Sequence, residues 1–249
     1  MENFAIMTDA GGDFTREIIQ KYGIEETPIS TIVWPDNSER PADLYWDTMK
    51  PDEYFALMSN KNNDFKSSIP SPQTMLDRLS ELAKAGRNIV IFTISSKMSG
   101  GYSAFTVAAK EVMEKYPNIK IKVIDSLRYS AAITLLAVEA SLCRSRGMSF
   151  DEAVEYLDHF RLRIHQCGFL DDLFFLARKG RIKKSLAFMG NMIGVKPMAD
   201  LCNETGLSQV LGKARGYKQV MKIFPQYIKR TIGRSIAPLG QATVQAPQP

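Results

Sequence analysis

Four serines and two glycines lie close together in the stretch IFTISSKMSGGYSAF (91–105), where an apolar run gives way to an amphipathic one. Serine hydroxyl groups can serve as a nucleophile, line a phosphate cradle or hold a carboxylate. Ser95, Ser96 and Ser99 supply the hydroxyl groups, and Gly100 lets the backbone approach a ligand closely. The first N–H groups of the following helix favour an anion. The stretch therefore supports two interpretations, simple helix capping by Ser99 or an anion site.

A catalytic serine is the second interpretation of the same stretch. The sequence has no G-x-S-x-G turn, and SSKMS lacks the S-x-x-K order that would activate a serine. Its two histidines, His159 and His165, lie in a weakly patterned region far along the chain. A serine esterase or acyltransferase that uses Ser95 or Ser96 is the alternative function.

Two further polar segments flank predicted elements, TDAGGD (8–13) after the first strand and SSIPSP (67–72), a predicted loop, before a helix. Ligands of open parallel sheets bind beyond the carboxyl ends of the strands, so we expect both loops to lie near the serine stretch. Asp9 and Asp125 are expected to orient the serine loops, and Asp13 to cap the helix that follows the first strand. A magnesium site formed with Asp125 is the alternative to these structural roles, but we predict no metal site.

Strands and helices alternate through the first 160 residues. The predicted strands are 4–9, 27–34, 88–94 and 119–125, and the predicted helices are 14–22, 51–60, 73–85 and 101–116. Alternation of this kind is typical of a parallel sheet with right-handed crossovers and helices on both faces. Residues 1–160 are therefore predicted to form a parallel α/β domain.

The pattern changes after residue 160 and predicts an α+β domain with an antiparallel sheet over 161–234. Its predicted elements are a strand leading into a helix (166–173), a basic stretch before another helix (177–190), a hairpin (193–201 and 207–215) and a helix (217–230) that Pro225 kinks or ends. The uncharged, proline-containing residues 235–249 are predicted to be disordered.

Charge is distributed unevenly along the chain. Residues 1–160 carry 17 basic and 23 acidic side chains, whereas residues 161–249 carry 15 basic and four acidic ones. A basic half indicates either a solvated basic face or a partner such as nucleic acid, an anionic membrane surface, phosphate or an acidic protein. The basic stretch lacks interleaved aromatic side chains for base stacking, so we predict no nucleic-acid partner.

Composition places the chain in a reducing compartment. The N-terminus lacks the basic start of an export signal, and the longest apolar patch (130–142) is shorter than the roughly 20 residues a bilayer requires. Cys143, Cys167 and Cys202 show no C-x-x-C spacing and predict neither a disulfide framework nor a zinc site. No nucleotide-binding motif is present. We therefore expect a cytoplasmic protein without a cofactor.

Seven motifs together resemble the DegV family of bacterial fatty-acid-binding proteins, over residues 4–230. They are TDAGGDF (8–14), SSIPSP (67–72), ISSKMSGGYSAF (94–105), VIDS (123–126), FLDDLFFLARKGRI (169–182), MGNMIGVKPM (189–198) and GKARGYKQV (212–220). The resemblance implies a parallel α/β domain followed by a domain with an antiparallel sheet.

The same resemblance implies non-catalytic binding of a long-chain fatty acid in a hydrophobic tunnel. Its carboxylate would be held by Ser67, Ser68, Ser95 and Ser96. Asp9, Ser99 and Gly100 would support the loop.

Some members of the family present the acid to a fatty acid kinase for phospholipid synthesis. The resemblance then implies that Arg181 and Arg215 face the head group or the kinase. It also allows transient contact with a membrane surface.

The chain departs from the family pattern in three places. Ala10 and Gly101 stand where the family usually has hydroxyl-bearing residues, and no histidine follows His165. The family usually continues into more strands and a histidine-glycine motif that approaches the carboxylate. We therefore expect this chain to lack the usual C-terminal end of the family.

Overall fold

The computed structural model describes residues 4–170, 173–181, 195–202 and 204–235. By their internal contacts the residues divide into two compact units. The first comprises Met1–Gln166 and Leu201–Leu207, and the second comprises Cys167–Asp200 and Ser208–Pro249. Most of the predicted tail and the helix expected after the basic stretch lie outside the described residues.

The strands are β1 (Ala5–Thr8), β2 (Thr31–Val33), β3 (Glu39–Pro41), β4 (Lys66–Ser68), β5 (Ile89–Thr93), β6 (Ile121–Asp125), β7 (Gly168–Phe169), β8 (Val195–Leu201) and β9 (Ser208–Arg215). The helices are α1 (Arg16–Tyr22), α2 (Pro51–Ser59), α3 (Pro72–Lys84), α4 (Gly101–Lys115), α5 (Ala131–Ser145), α6 (Phe150–Phe160), α7 (Leu173–Arg178) and α8 (Gly216–Ser235). These elements confirm the predicted mixed α/β class, with one parallel sheet and two antiparallel sheets.

The parallel sheet of the first unit has the order β1-β5-β6. Thr8 pairs with Phe92, and Thr93 pairs with Asp125, so the three strands end side by side. Every residue of the central strand β5 is buried, which explains its unbroken apolar sequence. The carboxyl ends of the strands thus bring the loops after β1, β5 and β6 to one edge of the sheet.

Two apolar clusters cover the two faces of this sheet. Val90 and Phe92 pack on one face with residues of α5 and α6, among them Leu136. Ile89 and Ile91 pack on the other face with residues of α3 and α4. The alternation follows from the period of two along a strand. The sheet is therefore a rigid support for the loops at its carboxyl edge.

The helix after β1 begins differently from the prediction. Its N-cap is Thr15, whose hydroxyl oxygen accepts a hydrogen bond from the Ile18 N–H at 3.2 Å. The prediction that Asp13 caps this helix is therefore wrong. The Asp13 carboxylate instead accepts a hydrogen bond from the Ser130 hydroxyl. The physical reason is position, because an N-cap must immediately precede the first helical turn and Arg16 opens α1.

A second, antiparallel sheet in the first unit has the order β3-β2-β4. Ser67 and Ser68 belong to β4 and pair with Ile32 and Thr31 of β2. The prediction that they lie in a loop is therefore wrong, although 69–71 do form a loop before α3. Pairing with a β-branched strand outweighs the low strand preference of two serines.

The second unit contains a sheet of order β7-β8-β9, as the hairpin prediction implied. The helix α8 continues through Pro225, so of the two predicted effects of this proline, a kink or an end, the end does not occur. Proline removes the hydrogen bond to the carbonyl group of Met221, and Met221 is 72% exposed, so water can replace the missing partner. Within this unit the Tyr227 hydroxyl donates to the buried Asp200 carboxylate at 3.0 Å.

None of the helices in the described part of the chain combines the length and the apolar character needed to cross a membrane. The apolar segment around residues 130–142 is α5, whose buried residues include Ile133 and Leu136. Its hydrophobicity is thus explained by packing against the sheet.

Candidate functional site

The loop between β5 and α4 is fixed through Ser95, which is completely buried. Its N–H donates to the Arg128 carbonyl oxygen at 2.8 Å, and its hydroxyl group donates to the Gly206 carbonyl oxygen at 2.9 Å. The Lys97 N–H donates to the Ser95 hydroxyl oxygen at 3.3 Å. Ser95 is thus part of the structure of the loop.

Ser96 differs from Ser95, because its side chain is only half-buried. Its backbone N–H donates to the Asp125 carboxylate at 3.2 Å, which fixes the backbone. Among the residues that the structure describes, the Ser96 hydroxyl makes no hydrogen bond. The loop therefore holds one hydroxyl group that is positioned by its backbone and able to donate to a ligand.

Ser99 and Gly100 form the start of α4. Gly100 is the N-cap and contributes no side-chain hydrogen bond. The Ser99 hydroxyl oxygen accepts from the Gly101 N–H at 3.1 Å, so this serine satisfies one N–H group of the first turn. Capping by Ser99 therefore accounts for that hydroxyl group.

Asp9 links the loop after β1 to the loop after β5. One carboxylate oxygen accepts from the Gly11 N–H at 2.9 Å, and the other accepts from the Ile94 N–H at 2.8 Å. Burial raises the pKa of Asp9 to about 6; the two N–H donors act in the opposite direction and the charge of Asp125 adds to the increase. Asp9 is thus a carboxylate that costs free energy to ionise and whose hydrogen bonds tie two loops together.

The space around Asp9 explains one departure from the family pattern. A Cβ atom at Gly101 would lie 3.3 Å from a carboxylate oxygen of Asp9 and 3.5 Å from the Ser99 hydroxyl oxygen. In this chain, a side chain at position 101 would therefore require the Asp9 carboxylate to shift by a few tenths of an ångström.

Arg128 is a member of this region that the sequence-based predictions missed. It lies in the loop after β6 and is completely buried. Its guanidinium donates to the Leu201 carbonyl oxygen, and its backbone N–H donates to the Ser126 hydroxyl oxygen at 3.0 Å. The available signal was its position directly after the motif VIDS, since that loop follows β6 at the carboxyl edge of the sheet.

A small cleft with a cavity volume of about 20 Å³, open in part to solvent, lies beside the loop after β1. Asp9 and Ala10 line it together with apolar side chains that include Phe14, Ile19 and Leu44.

The other predicted site residues belong to other elements of the chain. Ser67 and Ser68 are exposed on β4, and the Ser68 hydroxyl donates to the Thr31 carbonyl oxygen at 3.5 Å. Arg181 and Arg215 are exposed in the second unit, and the Arg181 guanidinium donates to the Lys179 carbonyl oxygen. The loop at the sheet edge therefore brings together Asp9, Ser95, Ser96, Ser99 and Gly100 from the predicted set.

The geometry of Ser95 bears on the alternative of a catalytic serine. A serine nucleophile donates its hydrogen to a general base, usually a histidine. The Ser95 hydroxyl donates to a backbone carbonyl oxygen, which cannot accept the proton in a reaction. The geometry of Ser95 therefore does not supply it with the general base that a nucleophile requires.

Comparison with known proteins gives a consistent result. A family model described as an uncharacterised protein of the DegV family matches residues 3–245. The DegV domain-containing protein YteA of Lactococcus lactis is 30% identical over 218 residues, which are 88% of this chain and 74% of that protein.

Two solved structures show the same fold. A DegV family protein from Ruminococcus gnavus, refined with vaccenic acid, is 26% identical with a TM-score of 0.76, covering 88% of this chain and 75% of that one. The Fatty Acid Kinase (Fak) B3 protein of Streptococcus pneumoniae, loaded with linoleic acid, is 24% identical with a TM-score of 0.76, covering 92% of this chain and 79% of that one. The chain described here therefore belongs to the DegV family.

Proposed function

We propose that this protein binds a long-chain fatty acid, without catalysing a reaction on it, and holds the carboxylate at the loop between β5 and α4. The observation that carries the proposal is the Ser96 hydroxyl group, half-buried at the carboxyl end of the central strand and without a hydrogen bond among the described residues. A hydroxyl group with its hydrogen available is suited to donate to an anionic oxygen.

The remaining carboxylate contacts are proposed for Ser67, Ser68 and Ser95, with Asp9, Ser99 and Gly100 supporting the loop. The hydrogen bonds of Asp9 to Gly11 and Ile94 support its role, because they fix the position at which the loop leaves β5. Ser95 could contact the acid only by giving up its bond to Gly206.

The acyl chain would supply most of the affinity. Burying each methylene contributes about 0.8 kcal/mol, so the ~14 methylenes of a long chain outweigh a few hydrogen bonds. The carboxylate contacts would then determine orientation and specificity. The vaccenic acid in the Ruminococcus gnavus protein supports a ligand of this class.

We further propose that the bound acid is presented to a fatty acid kinase for phospholipid synthesis. The likeness to the Fak B3 protein supports this role. Arg181 and Arg215, exposed in the basic second unit, are proposed to face the head group or the kinase.

Mass spectrometry of an organic extract of the purified protein tests the binding proposal. We expect one long-chain fatty acid in near-equimolar amount, and no labelling of Ser95 or Ser96 by a fluorophosphonate. An extract without fatty acid, combined with no uptake of added vaccenic acid, would contradict the proposal. Covalent labelling of one of these serines would instead support the esterase alternative.

A further inference from the structure

The turn between β8 and β9, residues 201–207, is attached at both of its ends to the region of the serine loop. At one end the buried Arg128 guanidinium donates to the Leu201 carbonyl oxygen. At the other end the buried Ser95 hydroxyl donates to the Gly206 carbonyl oxygen at 2.9 Å. All of these groups belong to the first unit of the chain. We call the described residues of this turn, 201, 202 and 204–207, the latch segment.

The latch segment has its own internal hydrogen bonds. The Gly206 N–H donates to the Cys202 carbonyl oxygen at 2.8 Å, and the Cys202 N–H donates to the Leu207 carbonyl oxygen at 2.9 Å. Both bonds close over the stretch that ends at Gly206, so we expect them to loosen when the attachment of Gly206 to Ser95 is released.

Glycine is required at position 206 for two reasons. Its φ of +67° is a conformation that other residues rarely adopt, and a Cβ atom there would lie 2.4 Å from the Ser95 hydroxyl oxygen and 3.1 Å from Leu127. The contact between Ser95 and the Gly206 carbonyl therefore depends on the absence of a side chain.

Ser95 cannot serve the latch segment and a ligand at once. A serine hydroxyl has a single hydrogen to donate, and here the Gly206 carbonyl oxygen receives it. A carboxylate is the stronger acceptor, because hydrogen bonds to ionised groups are shorter and stronger than those between neutral groups. A fatty acid carboxylate that reaches Ser95 would therefore take the hydrogen from Gly206.

We propose that the latch segment responds to ligand occupancy: binding of a fatty acid carboxylate transfers the Ser95 hydrogen bond from Gly206 to the ligand and releases that end of the segment. This inference rests on the proposed function, since it needs a carboxylate at the serine loop. Arg128 is a positioning residue that keeps the Leu201 end attached. The hydrogen bond between Ser95 and Gly206 thus distinguishes the ligand-free protein from the protein with a bound fatty acid.

Hydrogen–deuterium exchange of the full chain, with and without vaccenic acid, tests the proposal. We expect vaccenic acid to speed exchange of the Cys202 and Gly206 amides roughly tenfold, the effect of losing one hydrogen bond. The variant Ser95→Ala should show fast exchange in this segment already without the acid, and no further change with it. Ser96→Ala is the matched control: it should leave exchange in the ligand-free protein as in the wild type.

The variant Gly206→Ala gives a result that a purely structural role would not. Its added methyl group should displace the Gly206 carbonyl and leave the Ser95 hydroxyl available, so vaccenic acid should bind severalfold more tightly. Gly147→Ala is the control for backbone strain, because Gly147 also has a positive φ of +80° but no atom within 4 Å of the added Cβ. This control should bind as the wild type does.

Native mass spectrometry of the same samples separates the two proposals. An adduct of one fatty acid with unchanged exchange in 201–207 would overturn the latch and leave the binding function intact. The absence of any adduct would overturn both. Weaker binding by Gly206→Ala than by Gly147→Ala would also contradict the latch.

Discussion

The Ser95 hydroxyl group lies 2.9 Å from the Gly206 carbonyl oxygen, and both residues are buried although 111 positions separate them in the chain. The neighbouring Ser96 is half-buried, and its hydroxyl has no hydrogen bond among the described residues. Two adjacent serines of one loop thus differ in what their side chains do. Ser95 connects segments of the fold, whereas Ser96 presents a donor.

This difference predicts different effects of two alanine substitutions on stability. Ser95→Ala leaves the buried Gly206 carbonyl without its donor and should lower the free energy of unfolding by about 1–3 kcal/mol. Ser96→Ala removes an unbonded, half-buried hydroxyl group and should change it by less than about 0.5 kcal/mol. Urea unfolding of both variants measures the effect. Equal stabilities would show that the bond to Gly206 contributes nothing.

Asp9 predicts a pH dependence of stability. Its pKa of about 6 lies above the ordinary value of 3.8, so between these pH values the folded protein binds a proton that the unfolded chain releases. The stability contributed by this proton is complete below about pH 4 and is lost as the pH rises through 6. As the pH rises over this range, the wild type should therefore lose about 3 kcal/mol of unfolding free energy relative to Asp9→Asn.

Unfolding curves at several pH values measure this shift. The substitution keeps every other titrating group, including Asp125, so the difference isolates Asp9. A constant difference between pH 4 and pH 7 would contradict the raised pKa.

Thr93, the last residue of β5, predicts a stabilising substitution. Its hydroxyl group is completely buried and has no hydrogen-bond partner in the described part of the chain. Thr93→Val keeps the shape of the side chain and removes the unsatisfied oxygen, so it should raise the free energy of unfolding by about 1 kcal/mol. Chemical unfolding checks the value. A marked loss of stability would show that the hydroxyl group has a partner, such as a bound water.

Arg181 and Arg215 are exposed, and we expect them to affect transfer of the acid to the kinase but not its binding. Replacing both by Glu should leave the uptake of vaccenic acid unchanged and slow the phosphorylation of the bound acid by a fatty acid kinase, at least severalfold. Uptake is measured by native mass spectrometry, and transfer by release of ADP. The exposed lysines Lys218 and Lys222, also in the second unit, provide a charge-matched control pair. Equal transfer rates in all variants would remove the two arginines from the proposed interface.

Periodicity and turn chemistry were sufficient to predict the elements of the parallel sheet. The buried run 88–94 became β5, and the parallel order brought Asp9 to the loop after β5, because both signals depend on neighbours in the sequence. Predictions of where a helix begins or ends were less accurate, because neighbouring residues compete for these positions. Thr15 rather than Asp13 caps α1, and Pro225 lies inside α8 because an exposed helix face tolerates it.

The long-range part of the site could not be predicted from sequence patterns. Arg128 and Gly206 acquire their roles only when the chain brings residues 201–207 to Ser95 and Leu127. No periodicity encodes such contacts, since they depend on tertiary packing. The burial of Ser95 could not be predicted either, because sequence patterns do not distinguish two adjacent serines in a loop.

Binding of the carboxylate at the serine loop is tested most directly by a calorimetric titration of the delipidated protein with vaccenic acid, for the wild type and Ser96→Ala. We expect one bound acid per chain, and binding at least about fivefold weaker in Ser96→Ala, as expected for the loss of one hydrogen bond to a charged group. The stability of the variant should match that of the wild type. No saturable binding by the wild type, or equal affinities for the two proteins, would contradict the claim that this loop holds the carboxylate.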